Sequence, residues 1–245
     1  MKTAVLLCGQ MRTWKDPDVL QSLLSFFAGF ELCDIFVSTW DEQGVSYNHG
    51  AVVNGENSQQ KVTDSLIRET YPGVKGVSIH SLAAWESTLS PTYNQIYKEG
   101  FMWNGGHIKG TVVPQLFTLW DANRLRKAYE RQSGTRYDVV LRCRPDARMH
   151  FSGNRWIDDF SGISAINNPA SGTFFPNRIY DIFFYGPSRA MDALSDAYNH
   201  LEFLEAHAFQ NGLDKRDACR ILYVQALVHG IPVRDIPFDV CRVKR

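Results

Sequence analysis

A chain of 245 residues, 44% apolar and 21% charged, has ordinary globular composition with ample material for a core, in one large domain or two small ones. Lys plus Arg equals Asp plus Glu at 26 each, so the net charge is zero and the basic excess of a nucleic-acid binder is missing. Five scattered cysteines (Cys8, Cys33, Cys143, Cys219, Cys241) without a CxxC pair argue against a zinc site or a disulfide framework.

Reduced thiols in a cytoplasmic setting, or at the cytoplasmic face of a membrane, are therefore expected. The N-terminal apolar run is too short for a signal peptide, and no stretch approaches the ~20 apolar residues of a spanning helix. Thr3-Ala4-Val5-Leu6-Leu7-Cys8, closed by Gly9, is the pattern of a strand buried on both faces. Asp16 as cap and Pro17 in the first turn predict a helix with Leu20, Leu23, Leu24 and Phe27 on its inner stripe. Cys33-Asp34-Ile35-Phe36-Val37-Ser38 reads as a second buried strand, running out at Thr39-Trp40-Asp41. Strand, helix and strand in succession favour a parallel pair.

Residues 42–57 are rich in Gly and Asn without periodicity and predict a loop. Ser58 is expected to cap a helix reaching Tyr71 and ended by Pro72-Gly73. Val77-Ser78-Ile79-His80 reads as a short third strand. The segment 82–110 sets Trp85, Tyr93, Tyr97, Phe101 and Trp103 among glycines. It reads either as a substrate-covering loop or as an irregular segment packing its aromatics on the core.

A helix is predicted over 114–132, with Leu119, Ala122, Leu125 and Tyr129 on one face and Gly134 as its stop. A strand over 137–141 follows at once, and residues 163–166 and 179–185 read as further strands. Pro187-Ser188 opens a helix with Met191, Leu194, Tyr198 and Leu201 along a stripe. A last helix is expected over 214–229, ended by Gly230 and leading into Ile231-Pro232-Val233-Arg234. No repeat, low-complexity segment or linker separates two cores, so the expectation is one α/β domain over 1–245 built on a Rossmann-like, mostly parallel sheet flanked by helices.

In an open parallel sheet, ligands bind beyond the carboxyl ends of the strands, where strand order reverses. After the first strand come Gly9, Gln10, Met11 and Arg12; a glycine there permits close approach by a ligand, and Arg12 suits a phosphate or carboxylate. This turn is neither a P-loop nor a GxGxxG fingerprint. After the second strand comes Asp41, either a ribose-binding acid or a local backbone cap, beside Trp40, which either stacks on a base or fills core. After the strand over 137–141 comes Arg142-Cys143-Arg144-Pro145-Asp146-Ala147-Arg148. If extension persists, Arg142, Arg144 and Asp146 point to one side. Three arginines in seven residues suit a diphosphate; the alternative is an internal Arg–Asp salt-bridge network. Asp146 is also a candidate ligand for a divalent metal bridging such a diphosphate.

The segment Tyr137-Asp138-Val139-Val140-Leu141-Arg142-Cys143-Arg144-Pro145-Asp146 resembles the YDxxxRxRPD motif of a group of bacterial and viral glycosyltransferase-like proteins. Gly9-Gln10-Met11-Arg12 resembles their GQxR turn, and Asp34-Ile35-Phe36-Val37-Ser38-Thr39-Trp40-Asp41 their second-strand segment. The match covers the first 150 residues; beyond them it is loose. The resemblance implies a GT-A-like fold, with a nucleotide-binding half over 1–150 and an acceptor-side half over 151–245. It implies transfer of a sugar from a nucleoside diphosphate to a glycan or lipid-linked acceptor, as in polysaccharide biosynthesis. Gly9, Gln10, Arg12, Asp41, Arg142, Arg144 and Asp146 are then the donor-binding residues. Arg144-Pro145-Asp146 takes the place of the usual DxD metal motif. Asp146 alone then holds Mn²⁺ or Mg²⁺, or Arg144 supplies the positive charge instead.

A base for the acceptor hydroxyl is expected at Asp181, and next at Asp159 or its neighbour Asp158. His107 and His229 are further histidines with ordinary structural explanations. Two other readings stay open: a nucleotidyltransferase, for which the turn over 9–15 is short, and a non-catalytic carbohydrate- or anion-binding module with a degenerate transferase site.

Overall fold

The first apolar run forms β1 (Lys2–Cys8), and residues 4 to 8 are completely buried because both faces of the strand are covered. The computed structural model describes residues 1–44, 47–48, 51–52, 60–99, 101–103, 106–108, 112–150, 165–169, 177–210, 217–236 and 239–242. After β1 come α1 (Pro17–Ala28) and β2 (Leu32–Trp40). Asp16 caps α1 through its side chain, as expected. The buried stripe of α1 is rotated from the expected one: Val19, Leu23, Phe26 and Phe27 are buried, while Leu20 and Leu24 are only partly so.

A short hairpin, β3 (Tyr47–Asn48) with β4 (Ala51–Val52), interrupts the expected loop over 42–57. The next helix, α2 (Asp64–Thr70), starts later than expected because Thr63, not Ser58, is its cap; Ser58 lies outside the described residues. It is followed by β5 (Val74–His80), three residues longer at its start than the sequence suggested. The aromatic segment folds as α3 (Leu82–Glu86), α4 (Pro91–Glu99), β6 (Phe101–Trp103) and β7 (Gly106–Ile108). Trp85 is buried, and Tyr93 and Tyr97 pack partly buried against the same core, which favours the packing alternative for these three.

The long helix α5 (Val112–Ser133) precedes β8 (Val139–Cys143), which carries Arg142 inside the strand. Extension then stops: Pro145 and Asp146 form a turn into β9 (Ala147–His150), so the expected alternation through Asp146 does not hold. Next are β10 (Ile166–Pro169) and β11 (Phe183–Pro187), the latter starting four residues later than expected. Asp181 and Ile182 form a turn instead. The predicted stripe of Met191, Leu194, Tyr198 and Leu201 belongs to three pieces: α6 (Ser188–Ser195), a 3₁₀ turn and α7 (Leu201–Gln210). The chain closes with α8 (Ala218–Val228), β12 (Val233–Ile236) and β13 (Asp239–Arg242). Asp217 caps α8, so the helix starts four residues later than expected.

Seven strands form one sheet in the order β12-β10-β11-β8-β1-β2-β5. All neighbours are parallel except those involving β11, which runs against both β8 and β10. The architecture is thus a Rossmann-like, mostly parallel α/β sheet. Alternating residues of β1 feed two cores: Ala4, Leu6 and Cys8 face α5, α6 and α8, while Val5 and Leu7 face α1 and α2. Each large side chain so buried contributes about 1.5–3 kcal/mol. Among the described residues, no helix is long and apolar enough to cross a membrane.

From β1 the chain moves outward through β2 to β5, then returns to β8 on the other side of β1. In open α/β sheets such a reversal is where a ligand crevice lies, here at the carboxyl ends of β1 and β8.

Candidate functional site

Gly9 ends β1 at this crevice with φ +120°, a conformation side chains disfavour, and donates its N–H to Ser38 O at 3.2 Å. Its face lies against Pro145 of the turn after β8, 4.0 Å from where a Cβ would stand. The two turns are therefore in register across the strand-order reversal. Gln10 accepts from Arg12 Nε at 3.0 Å, and Gln43 holds the backbone carbonyl of Arg12. Gly44, at φ +78°, makes room for Gln10: an added Cβ would stand 2.7–2.9 Å from the Gln10 amide.

The charged residues then form a chain. Arg12 Nη1 lies 3.6 Å from Asp146 Oδ2. Arg144 donates from Nε and Nη2 to the two Asp146 oxygens, both at 2.8 Å, and from Nη1 to Asp181 Oδ2 at 3.2 Å. Asp181 Oδ1 accepts from the Cys219 thiol at 3.5 Å, at the start of α8. Burial works against the charge on Arg144, but the carboxylates of Asp146 and Asp181 more than offset it and hold the guanidinium firmly protonated. Burial likewise opposes ionisation of Asp181, yet Arg144 and Arg142 keep its carboxyl below the usual range.

Arg142 is the exception. It is only 2% exposed, lying between Leu6 of β1 and Phe184 of β11 in the sheet register. Its Nε and Nη1 are buried without any hydrogen-bond partner. Among the described residues, three arginines (Arg12, Arg142, Arg144) stand close to two carboxylates (Asp146, Asp181). Burying donor nitrogens without a hydrogen bond costs about 1–3 kcal/mol each.

The buried thiols nearby do not suit nucleophilic chemistry. Burial pushes Cys8, Cys143 and Cys219 up from the usual thiol range, leaving them protonated.

Not every expected residue joins this cluster. The Asp41 carboxylate takes Lys61 Nζ at 3.3 Å, an exposed pair, while its backbone joins His80 and Val62. Trp40 is buried against Trp85, Phe117 and His80 and fills core. Arg148 turns away to Asp18 on α1, at 3.7 Å. Asp158 and Asp159 lie outside the described residues, as does the His107 side chain. Among the described residues, no group of three or more His, Cys, Asp or Glu side chains is arranged to hold a metal ion.

Sequence reasoning missed Gln43, Gly44 and Cys219. A φ-positive glycine inside a Gly- and Asn-rich loop carries no distinguishing signal, and Cys219 reaches Asp181 across 38 residues. A second polar cluster was also missed. Asp121, buried on α5, accepts from Ser38 Oγ at 3.0 Å and from Arg124 Nη2 at 2.7 Å, with His80 Nε2 at 2.8 Å.

No protein-family profile matches the chain, and no curated protein matches it in sequence. Among solved structures it is similar to the crystal structure of mouse xyloside xylosyltransferase 1 in its apo form. The identity is 10%, over 96% of this chain and 84% of that one, with a TM-score of 0.44.

Proposed function

We propose that the protein is a glycosyltransferase that binds the diphosphate of a nucleotide sugar at the crevice between β1 and β8, and passes the sugar to a glycan or lipid-linked acceptor. The observation that carries this reading is Arg142, buried beside a closed ion-pair chain with two nitrogens lacking partners. A diphosphate supplies the oxygen acceptors that these two nitrogens lack. Gly9 gives it close backbone approach, and Arg12 lies within the same cluster. The YDxxxRxRPD and GQxR segments, which meet here, support the same class. On this reading residues 1–150 form the donor side, and β10 and β11 bring in the acceptor side.

Asp181 takes a different role from the expected base. One oxygen accepts from Arg144 and the other from Cys219, and its carboxyl sits below the usual range, which makes it a poor proton acceptor. We assign it to positioning Arg144. That commitment of both carboxylates favours one second reading, a module that binds the donor without turning it over. Release of free sugar from a nucleotide sugar, with or without an acceptor, separates the two.

The test is calorimetric titration of UDP, GDP, CMP and pyrophosphate into the wild-type protein and Arg142→Met. Each lost charge-assisted bond is worth about 1.5–3 kcal/mol, so the variant should bind diphosphates roughly 10- to 100-fold more weakly. If no nucleoside diphosphate binds the folded wild-type protein, the reading fails.

A further inference from the structure

Fold resemblance implies a divalent ion on Asp146, but the residues around that carboxylate do not fit one. Asp146 is 2% exposed, and each of its oxygens already accepts a 2.8 Å bond from a single guanidinium. The third nitrogen of that guanidinium reaches the other carboxylate of the site, Asp181. Arg144 thus stands between two carboxylates where a bridging cation would otherwise stand. Magnesium-like ions need carboxylate oxygens at about 2.0–2.1 Å in near-octahedral array, which here requires breaking the two-pronged pair. The incoming +2 charge would also sit beside Arg144 and Arg12, the latter 3.6 Å from Asp146.

We propose that Arg144 is the resident cation of this site. Its guanidinium occupies the space between Asp146 and Asp181, so the protein binds its ligand without metal. Of the five N–H groups on a guanidinium, three are engaged here by Asp146 and Asp181. Two remain for a phosphate oxygen, and the carboxylates keep the plane of the group fixed while it binds. The phosphate contact rests on the nucleotide-sugar reading; the exclusion of metal does not. A corollary follows for the carboxylates themselves: with the guanidinium gone, Asp146 and Asp181 lose the cation that joins them, and although Arg12 stays beside Asp146, their oxygens are freed as the donor set a hard cation prefers.

Two measurements decide it. In the first, free Mn²⁺ is followed by electron paramagnetic resonance as wild-type protein, Arg144→Ala and the double variant Arg144→Ala/Asp146→Asn are added. Wild type should leave the signal unchanged, Arg144→Ala should deplete it, and the double variant should restore it. Depletion by wild type, or a folded Arg144→Ala that takes up no Mn²⁺, overturns the proposal. In the second, UDP is titrated into wild type in EDTA and in Mn²⁺, which needs no variant to fold. Affinities should agree to about twofold; a gain of about tenfold or more with Mn²⁺ overturns the proposal. If UDP binds under neither condition, the nucleotide reading fails while the Mn²⁺ uptake series still decides this one.

Discussion

Two arginines in this protein are almost equally buried, and they are opposites. Arg126, on α5, is completely enclosed and spends every nitrogen. Its Nε donates to Asn123 at 2.9 Å, and its Nη1 to Ser188 at 2.6 Å beside Glu130 at 3.0 Å, while Nη2 pairs with Asp192. Those partners lie on α5 and α6, so the arginine clamps one helix to the next. Arg142 lies at the carboxyl end of β8, flanked by Leu6 and Phe184, and has two nitrogens with nothing to bond. A satisfied buried cation is architecture. An unsatisfied one is stability given up, which the proposed diphosphate would restore on binding.

Replacing each arginine by methionine should break the comparison most visibly. Arg126→Met takes from buried Glu130 its closer cation, leaving only the exposed Arg136 at 3.7 Å, and should cost about 3–5 kcal/mol in urea denaturation. Arg142→Met should cost far less, since two of the three nitrogens it removes make no hydrogen bond. Equal destabilisation by both variants would erase the distinction.

Asp121 offers the anionic counterpart of Arg126, with a smaller effect. Burial raises its pKa, but bonds from His80, Arg124 and Ser78 outweigh this and hold it below the normal carboxylate range. A depressed folded pKa stabilises the protein above the unfolded value of about 3.9, and that share is lost as pH falls through the folded value. Asp121→Asn should therefore cost about 2 kcal/mol at pH 7, with the gap to wild type narrowing as pH drops below about 4. A gap that stays constant across urea curves from pH 7 to the acid limit would show that the charge is not what matters.

The smallest change expected is at Gly44. Gly44→Ala places a methyl group against the Gln10 amide at a positive φ, and should cost about 1 kcal/mol. By displacing Gln10 it should loosen Arg12 and weaken diphosphate binding a few-fold, roughly the value of one modest hydrogen bond. Unchanged binding would remove Gln10 from the site.

The central strands were legible because burial on both faces leaves continuous apolar runs, as in residues 4–8, and α1 because Asp16 and Pro17 announce its start. The meeting of the turns that carry Arg12 and Asp146 at one sheet edge was legible too, since parallel order sets their strand ends side by side. What the sequence hides is rotation and distance. Val19 and Leu20 both suit an inner stripe of α1, and only packing chooses between them. The apolar run over 179–185 reads as one strand, yet Asp181 and Ile182 turn because Asp181 bonds across 37 residues to Arg144. Arg142's want of a partner depends on its register against Leu6 and Phe184, which no local pattern records.

The reversed direction of β11 has a consequence for how the molecule is made. Because it runs against β8, its entry point, Asp181, arrives at the edge where the parallel strands finish. The final contact to Asp181 comes from Cys219, another 38 residues on. During synthesis β1, β2, β5 and β8 emerge early and can pair, yet Arg144 meets Asp181 only after β11 has turned back, and Cys219 only after α8 is released. A nascent chain halted between these points carries the sheet but an open crevice, with its arginines short of counterions. Completing the ion-pair chain waits for segments built well after β8.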